Sequence, residues 1–135
     1  MNLFQYRDCV SHSGLPLKWK IDCDALTDED WACLAKLVAK NISFGKVIGV
    51  PKGGLKFAEA LRPYIDDTHE VILIVDDVMT TGNSIFAEKK KLPKEAIVEA
   101  VVVFNRAAVY PYWIRPIFTA RWPYVEQQDH LELRK

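Results

Sequence analysis

Asp76 and Asp77 stand side by side after five apolar residues, Val71 to Val75, and are followed by Val78-Met79-Thr80-Thr81-Gly82-Asn83-Ser84. An unbroken apolar run of that length is the pattern of a strand buried on both faces, so it delivers two carboxylates to one edge of a sheet. The small residues after it suit a loop that opens a helix. Consecutive backbone N–H groups there form an anion nest, the helix N-terminus adds partial positive charge, and the Thr and Ser hydroxyls add donors. Such a loop takes a phosphate monoester. Carboxylates repel phosphate but accept hydrogen bonds from vicinal hydroxyls. Phosphate on one side and diol acceptors on the other describe a ribose 5-phosphate.

Other readings of the same residues fare worse. A solvated acidic turn has little use for paired acids beside Thr-Thr-Gly. The phosphate-accepting receiver fold also places two acids after an apolar strand. It needs a further Asp on a later strand and about 100 residues beyond the pair. Only 58 residues follow Asp77, and none of the strands expected there ends in Asp. G-x-G-x-x-G and G-x-x-x-x-G-K-[ST] are both absent, which excludes the usual dinucleotide and P-loop patterns.

The elements that must position these residues can be read along the chain. Ser13-Gly14-Leu15-Pro16 is a turn signal, and Leu17 to Ile21 alternates apolar residues with Lys18 and Lys20, the period of a half-exposed strand. Thr27 is a good N-cap with Asp28, Glu29 and Asp30 behind it, Trp31, Leu34, Ala35 and Val38 form an apolar helical stripe, and Asn41 is a stop. Lys46 to Val50 is a short strand that runs into the turn Pro51-Lys52-Gly53-Gly54, and Leu55 to about Arg62 is helical up to Pro63. Val71–Val75 is the next strand, ending at Asp76-Asp77. A short helix follows to about Lys91, and Ala96 to Phe104 contains the third strand. Strands alternating with helices imply parallel pairing, hence an α/β domain with a small open, mainly parallel sheet flanked by helices. Ligands in such sheets sit beyond the carboxyl ends of the strands. Those ends carry Pro51–Gly54, Asp76–Ser84 and Asn105-Arg106.

Composition supports one domain over residues 1–135. Half the residues are apolar, 27% are charged, and 18 Lys+Arg balance 18 Asp+Glu. That balance gives no basic footprint for nucleic acid or a membrane surface. No apolar run is long enough for a membrane span, and the first ten residues lack a signal-peptide pattern. Cys9, Cys23 and Cys33 are odd in number and without C-x-x-C spacing, so a reducing cytoplasm is the expected setting.

The segment from Val71 to Ser84 resembles the phosphoribosyl pyrophosphate (PRPP) signature of the type I phosphoribosyltransferases. Val47-Ile48-Gly49-Val50-Pro51-Lys52-Gly53-Gly54-Leu55 is similar to that family's pyrophosphate loop. Ser13-Gly14-Leu15-Pro16-Leu17-Lys18-Trp19-Lys20-Ile21-Asp22 resembles the N-terminal stretch of its orotate branch, part of a hood over the base. The resemblance implies a phosphoribosyltransferase that moves ribose 5-phosphate from PRPP to a nucleobase and releases pyrophosphate, orotate being the first choice. A purine-salvage enzyme and a non-catalytic PRPP- or nucleotide-binding regulator are the alternatives. By the same resemblance, Asp76 and Asp77 would hold the ribose hydroxyls and touch Mg²⁺, with Asp77 also a candidate acid or base. Thr80, Thr81, Gly82, Asn83 and Ser84 would cradle the 5-phosphate. Lys52, Gly53 and Gly54 would meet the pyrophosphate, with Lys52 catalytic, and Trp19 and Arg106 would face the base.

Two departures from the family pattern stand out. The long catalytic lid that orotate-type members carry is missing or reduced to about Asp66–His69, with Lys18, Lys20, Lys56, Arg62 and Arg106 as candidate replacements for its charges. The aromatics Tyr110, Tyr112, Trp113, Phe118, Trp122 and Tyr124 fit a small satellite core or dimer contact better than a base-stacking pocket, and a homodimer is expected. His12, His69 and His130 share no metal-ligand spacing, and Lys89-Lys90-Lys91 with Lys94 reads as a solvated helix end.

Overall fold

The computed structural model of the 135-residue chain describes residues 2–10 and 16–120, the side chains of 16–18 apart. The Ser13–Leu15 turn residues, the side chain of Lys18, His12, His130, Trp122 and Tyr124 therefore lie outside the described residues. An antiparallel hairpin comes first, β1 (Phe4–Val10) with β2 (Pro16–Ile21), its register interrupted between Tyr6 and Cys9. Then follow α1 (Asp28–Asn41), β3 (Lys46–Gly49), α2 (Leu55–Leu61), β4 (Ile72–Met79), α3 (Asn83–Lys90), β5 (Val98–Asn105) and β6 (Ile114–Thr119). The last four strands form one sheet in the order β3-β4-β5-β6, parallel at every pairing.

Local sequence explains the element ends. Thr27 Oγ1 accepts from the Asp30 N–H at 3.1 Å while the Thr27 N–H donates to Asp30 Oδ2 at 2.9 Å, a complete capping box that starts α1. Pro63 ends α2, whose chain tightens into a 3₁₀ turn at Arg62–Tyr64.

Strand alternation sorts the core into two layers. Leu73, Val75, Val101 and Val103 face α1, α2 and Ile21 of the hairpin; Ile74, Ala100 and Val102 face Ile85 of α3. Leu73, Ile74 and Val75 are wholly buried, so β4 is covered on both faces, as its apolar run requires.

The structure corrects the sequence reading in several places. β4 does not stop at Asp76-Asp77; it runs through both to Met79, because β5 keeps pairing with it as far as Asn105. The sheet has a fourth parallel strand, β6, within the aromatic segment that the sequence reading gives no strand. The eight residues between β5 and β6 return without a helix. β1 was not anticipated as a strand. Finally, Asp66–His69 is no remnant of a lid over the site. The Asp66 N–H donates to Phe44 O at 3.0 Å and the His69 carbonyl packs on Gly45, which puts the segment at the entry end of β3 and β4. The parallel strands carry their carboxyl ends, and Asp76-Asp77, at the other side of the sheet.

Candidate ligand site at the strand ends

The site forms where β3 stops short of β4. The Val50 N–H donates to Val75 O at 2.8 Å, after which the chain turns through Pro51-Lys52-Gly53-Gly54, with a cis peptide between Pro51 and Lys52. Asp76 and Asp77 thus emerge just past the last β3–β4 contact. Each carboxylate is held by an amide: the Asp77 N–H donates to Asp76 Oδ1 at 2.8 Å and the Val78 N–H to Asp77 Oδ1 at 2.7 Å. The two acids are therefore aimed by the backbone rather than left to sweep through solvent.

The glycines of the turn have separate tasks. A Cβ on Gly53 would overlap the Asp77 carboxylate, so the bare backbone at 53 is what lets that acid lie against the turn. A Cβ on Gly54 would run into Val75 O and into Val50 N at 2.7 Å, so Gly54 lies beneath the site and holds the turn close to the sheet.

Beyond Met79 the loop Thr80-Thr81-Gly82 leads into α3, with Gly82 at φ +84° as its N-cap, a conformation glycine adopts without steric cost. The first-turn amides of a helix lack intrahelical acceptors. Here the residues that carry them, Asn83 and Ser84, line the same opening as the acids. The Asn83 N–H donates to Thr81 Oγ1 at 3.3 Å, and the Arg106 N–H to Met79 O at 2.8 Å ties the loop to the end of β5.

These parts enclose a cleft of about 220 Å³. Asp76, Asp77, Thr80, Thr81, Gly82, Asn83, Ser84, Gly53 and Arg106 all line it, brought from three strand ends. The hairpin closes it with Cys9, Val10, Lys20 and Ile21, of which the sequence reading singled out only Lys20. Lys52 and Trp19 are placed elsewhere. The Lys52 side chain is exposed and outside the cleft lining, although Pro51 and Gly53 on either side of it both line the cleft. The Trp19 indole lines a separate apolar groove between the hairpin, α1 and β5–β6. Arg106 lies over its ring at 3.8 Å and donates through Nη2 to Trp19 O at 2.8 Å. Arg106 is only 3% exposed, so it both lines the cleft and fastens the hairpin above it.

Of the aromatics after β5, Tyr110 and Trp113 pack against the core layer that faces α3. Trp113 meets Phe86 of α3 and carries Lys89 at 5.5 Å above its ring, Phe118 stacks on Phe104, and Tyr112 is 94% exposed. Among the described residues none of these aromatics lines the cleft.

Electrostatically the acids dominate. Burial first, then hydrogen bonding to Asp77 and its charge, push the Asp76 carboxyl up to about 8. Burial, reinforced by Asp77 and then Asp22, raises the Cys23 thiol far above its ordinary value and keeps it un-ionised. No cluster of three or more metal-ligating side chains occurs among the described residues. The Asp76–Asp77 pair nevertheless fits a hard cation shared with a ligand's phosphate oxygens, since magnesium is commonly held by one or two carboxylates plus phosphate. The buried Asp76 carboxyl is the group that such a cation, or hydroxyl donors, would relieve.

No family model matches the sequence, and no curated protein matches it. Solved structures do. The chain superposes on an orotate phosphoribosyltransferase of Aeropyrum pernix with a TM-score of 0.68 and 21% identity, covering 96% of this chain and 93% of that one. An adenine phosphoribosyltransferase of Leishmania donovani gives 0.62 at 12% identity, covering 87% and 76%. An orotate phosphoribosyltransferase of Mycobacterium tuberculosis gives 0.59 at 17%, covering 85% and 87%. The chain has the fold of the type I phosphoribosyltransferases. No helix among the described residues is long and apolar enough to cross a membrane.

Proposed function

We propose that the protein is a PRPP-dependent phosphoribosyltransferase and that orotate is its preferred base. The observation that carries this is the convergence, around one cleft, of an amide-lined loop, a pair of backbone-aimed carboxylates and a glycine turn against the second of them. A sugar phosphate with a vicinal diol fits those three features at once. Thr80–Ser84 would take the 5-phosphate through backbone amides and hydroxyls. Asp76 and Asp77 would accept from the ribose hydroxyls, and the Pro51–Gly54 turn beside Asp77 would meet the pyrophosphate.

The reaction is a displacement at the anomeric carbon. A base nitrogen attacks with its lone pair, the bond from C1 to the pyrophosphate oxygen breaks, and that electron pair leaves with pyrophosphate. The nitrogen's proton passes to solvent. Because positive charge grows on the sugar ring, two carboxylates beside it favour the transition state over the ground state. Ligand positioning supplies much of the rest, since two reactants must meet in line. Mg²⁺, held by Asp76 and Asp77 together with ligand oxygens, would supply charge neutralisation for the departing pyrophosphate. Arg106 supports an acidic base, as a guanidinium lining the cleft pairs well with a carboxylate.

Purified protein, PRPP and Mg²⁺ screened against orotate, uracil and purine bases for pyrophosphate release tests this reading. Release with orotate is the expected result. Asp76→Asn and Asp77→Asn should each weaken PRPP binding at least tenfold, on the order of a lost charged hydrogen bond. PRPP affinity untouched by both substitutions sinks the assignment of the acids.

A further inference from the structure

Any site for a substrate with two phosphoryl groups at one end needs positive charge there. The connection from α2 to β4 cannot bring it, because it sits at the entry end of the strands, on Phe44 and Gly45. Arg62 points to Glu59, with Nε at 2.9 Å from Oε2, on the exposed surface. Lys52 and Lys56 are exposed and line no part of the cleft. Among the described residues, the cationic side chains lining the cleft are Lys20 and Arg106. Arg106 spends one N–H on Trp19 O and its planar face on the Trp19 ring.

Lys20 is held differently. Its Nζ lies 3.7 Å from Asp22 Oδ2, a loose pair, with the lysine side chain 31% exposed. Asp22 is fixed independently: Gln5 Nε2 donates to Oδ2 at 3.2 Å and the Asp24 N–H donates to Oδ1 at 3.1 Å. An anchored carboxylate thus aims the ammonium without using up its three donors. The end of β2 also lies over the right part of the cleft. Lys20 and Ile21 line it together with Asp77 and Gly53. Asp77 in turn rests on Gly53.

We propose that Lys20, carried on the hood hairpin and aimed by Asp22, pairs with the pyrophosphate of PRPP and stabilises it as it leaves, in place of a cation brought by a lid. This rests on the phosphoribosyl-transfer reading above. The lysine touches the leaving group; Asp22 positions it.

Calorimetric titrations with Mg²⁺ present, using PRPP, inorganic pyrophosphate and ribose 5-phosphate in turn, test the proposal on the full chain. Lys20→Met should weaken PRPP and pyrophosphate about 10- to 100-fold, the range of a charged hydrogen bond. It should leave ribose 5-phosphate within about twofold, and Lys20→Arg should restore most of the loss. Thermal unfolding of both variants should match the wild type, since Lys20 is partly solvated. Unchanged pyrophosphate and PRPP affinity in Lys20→Met overturns the proposal, and so does an equal loss for ribose 5-phosphate. Wild-type protein that binds pyrophosphate through Lys20 but does not bind PRPP would instead sink the phosphoribosyl reading and leave the lysine's anion contact standing.

Discussion

Replacing Asp76 with asparagine should flatten the pH dependence of folding. The carboxyl titrates at about 8 in the folded protein, raised by burial and by Asp77, against 3.8 for the ordinary group. Between those values the folded protein keeps a proton that the unfolded chain has lost. Stability from this group is therefore fully present below the lower value and is lost progressively as pH rises through the upper one. One proton of difference gives a slope of at most about 1.4 kcal/mol per pH unit, so roughly 2–3 kcal/mol between about pH 5.5 and 7.5. Asparagine still offers the Asp77 N–H an acceptor and never ionises. Urea unfolding of both proteins across that range, without metal or phosphorylated ligand, should show the wild type losing stability with pH relative to Asp76→Asn. Parallel pH profiles refute the argument. Ligand binding should run the opposite way, because diol hydrogen bonds and Mg²⁺ both need the carboxylate. PRPP binding at about pH 7 should expel close to one proton more from the wild type than from Asp76→Asn, seen as a difference in heat between buffers of unlike ionisation enthalpy. The ligand's own phosphates, titrating near ~6, contribute equally to both proteins.

Gly53→Ala should leave the fold intact but displace the Asp77 carboxylate from its place against the turn, lowering PRPP affinity by about tenfold or more; calorimetry at unchanged melting temperature checks it. Arg106→Lys keeps the charge and loses both the planar stack on Trp19 and the Nη2 bond to its carbonyl, so denaturant unfolding should report roughly 2 kcal/mol of lost stability. Phe57→Ala, at a wholly buried ring 5.5 Å from that of Trp31, should cost about 3–5 kcal/mol in the same assay.

The parts of the fold that were legible in the sequence are those where one physical signal acts alone. β4 could be read because three consecutive wholly buried residues leave no polar position to blur the run. The start of α1 could be read because Thr27 and Asp30 cap each other locally. β6 could not: it is an edge strand, only Ile114 in it is buried, and Pro116 within it argues against a strand by the ordinary rule. At an edge, however, a missing N–H costs little. β1 was hidden for a related reason, since most of its residues are exposed and its pairing with β2 gives it order that its own pattern does not announce.

The lid is the more instructive case, because the information was present and topology held it. In a parallel βα unit, the turn leaving a strand lies at the carboxyl end of the sheet, and the turn leaving a helix lies at the opposite end. Pro51–Gly54 and Thr80–Gly82 each leave a strand, and both reach the cleft. Residues 62–71 leave α2 and lead into β4, so no shortening or lengthening within that backbone direction would bring Asp66–His69 over Asp77 without an added excursion across the sheet. The same rule says where compensating charge has to come from: another strand end, or a segment outside the sheet that folds across it. Arg106 is the first kind and Lys20 the second. Spacing along the chain proposed five cations of equal standing; strand direction sets Arg62 at the far end of the sheet, and of the other described ones Lys20 and Arg106 line the cleft.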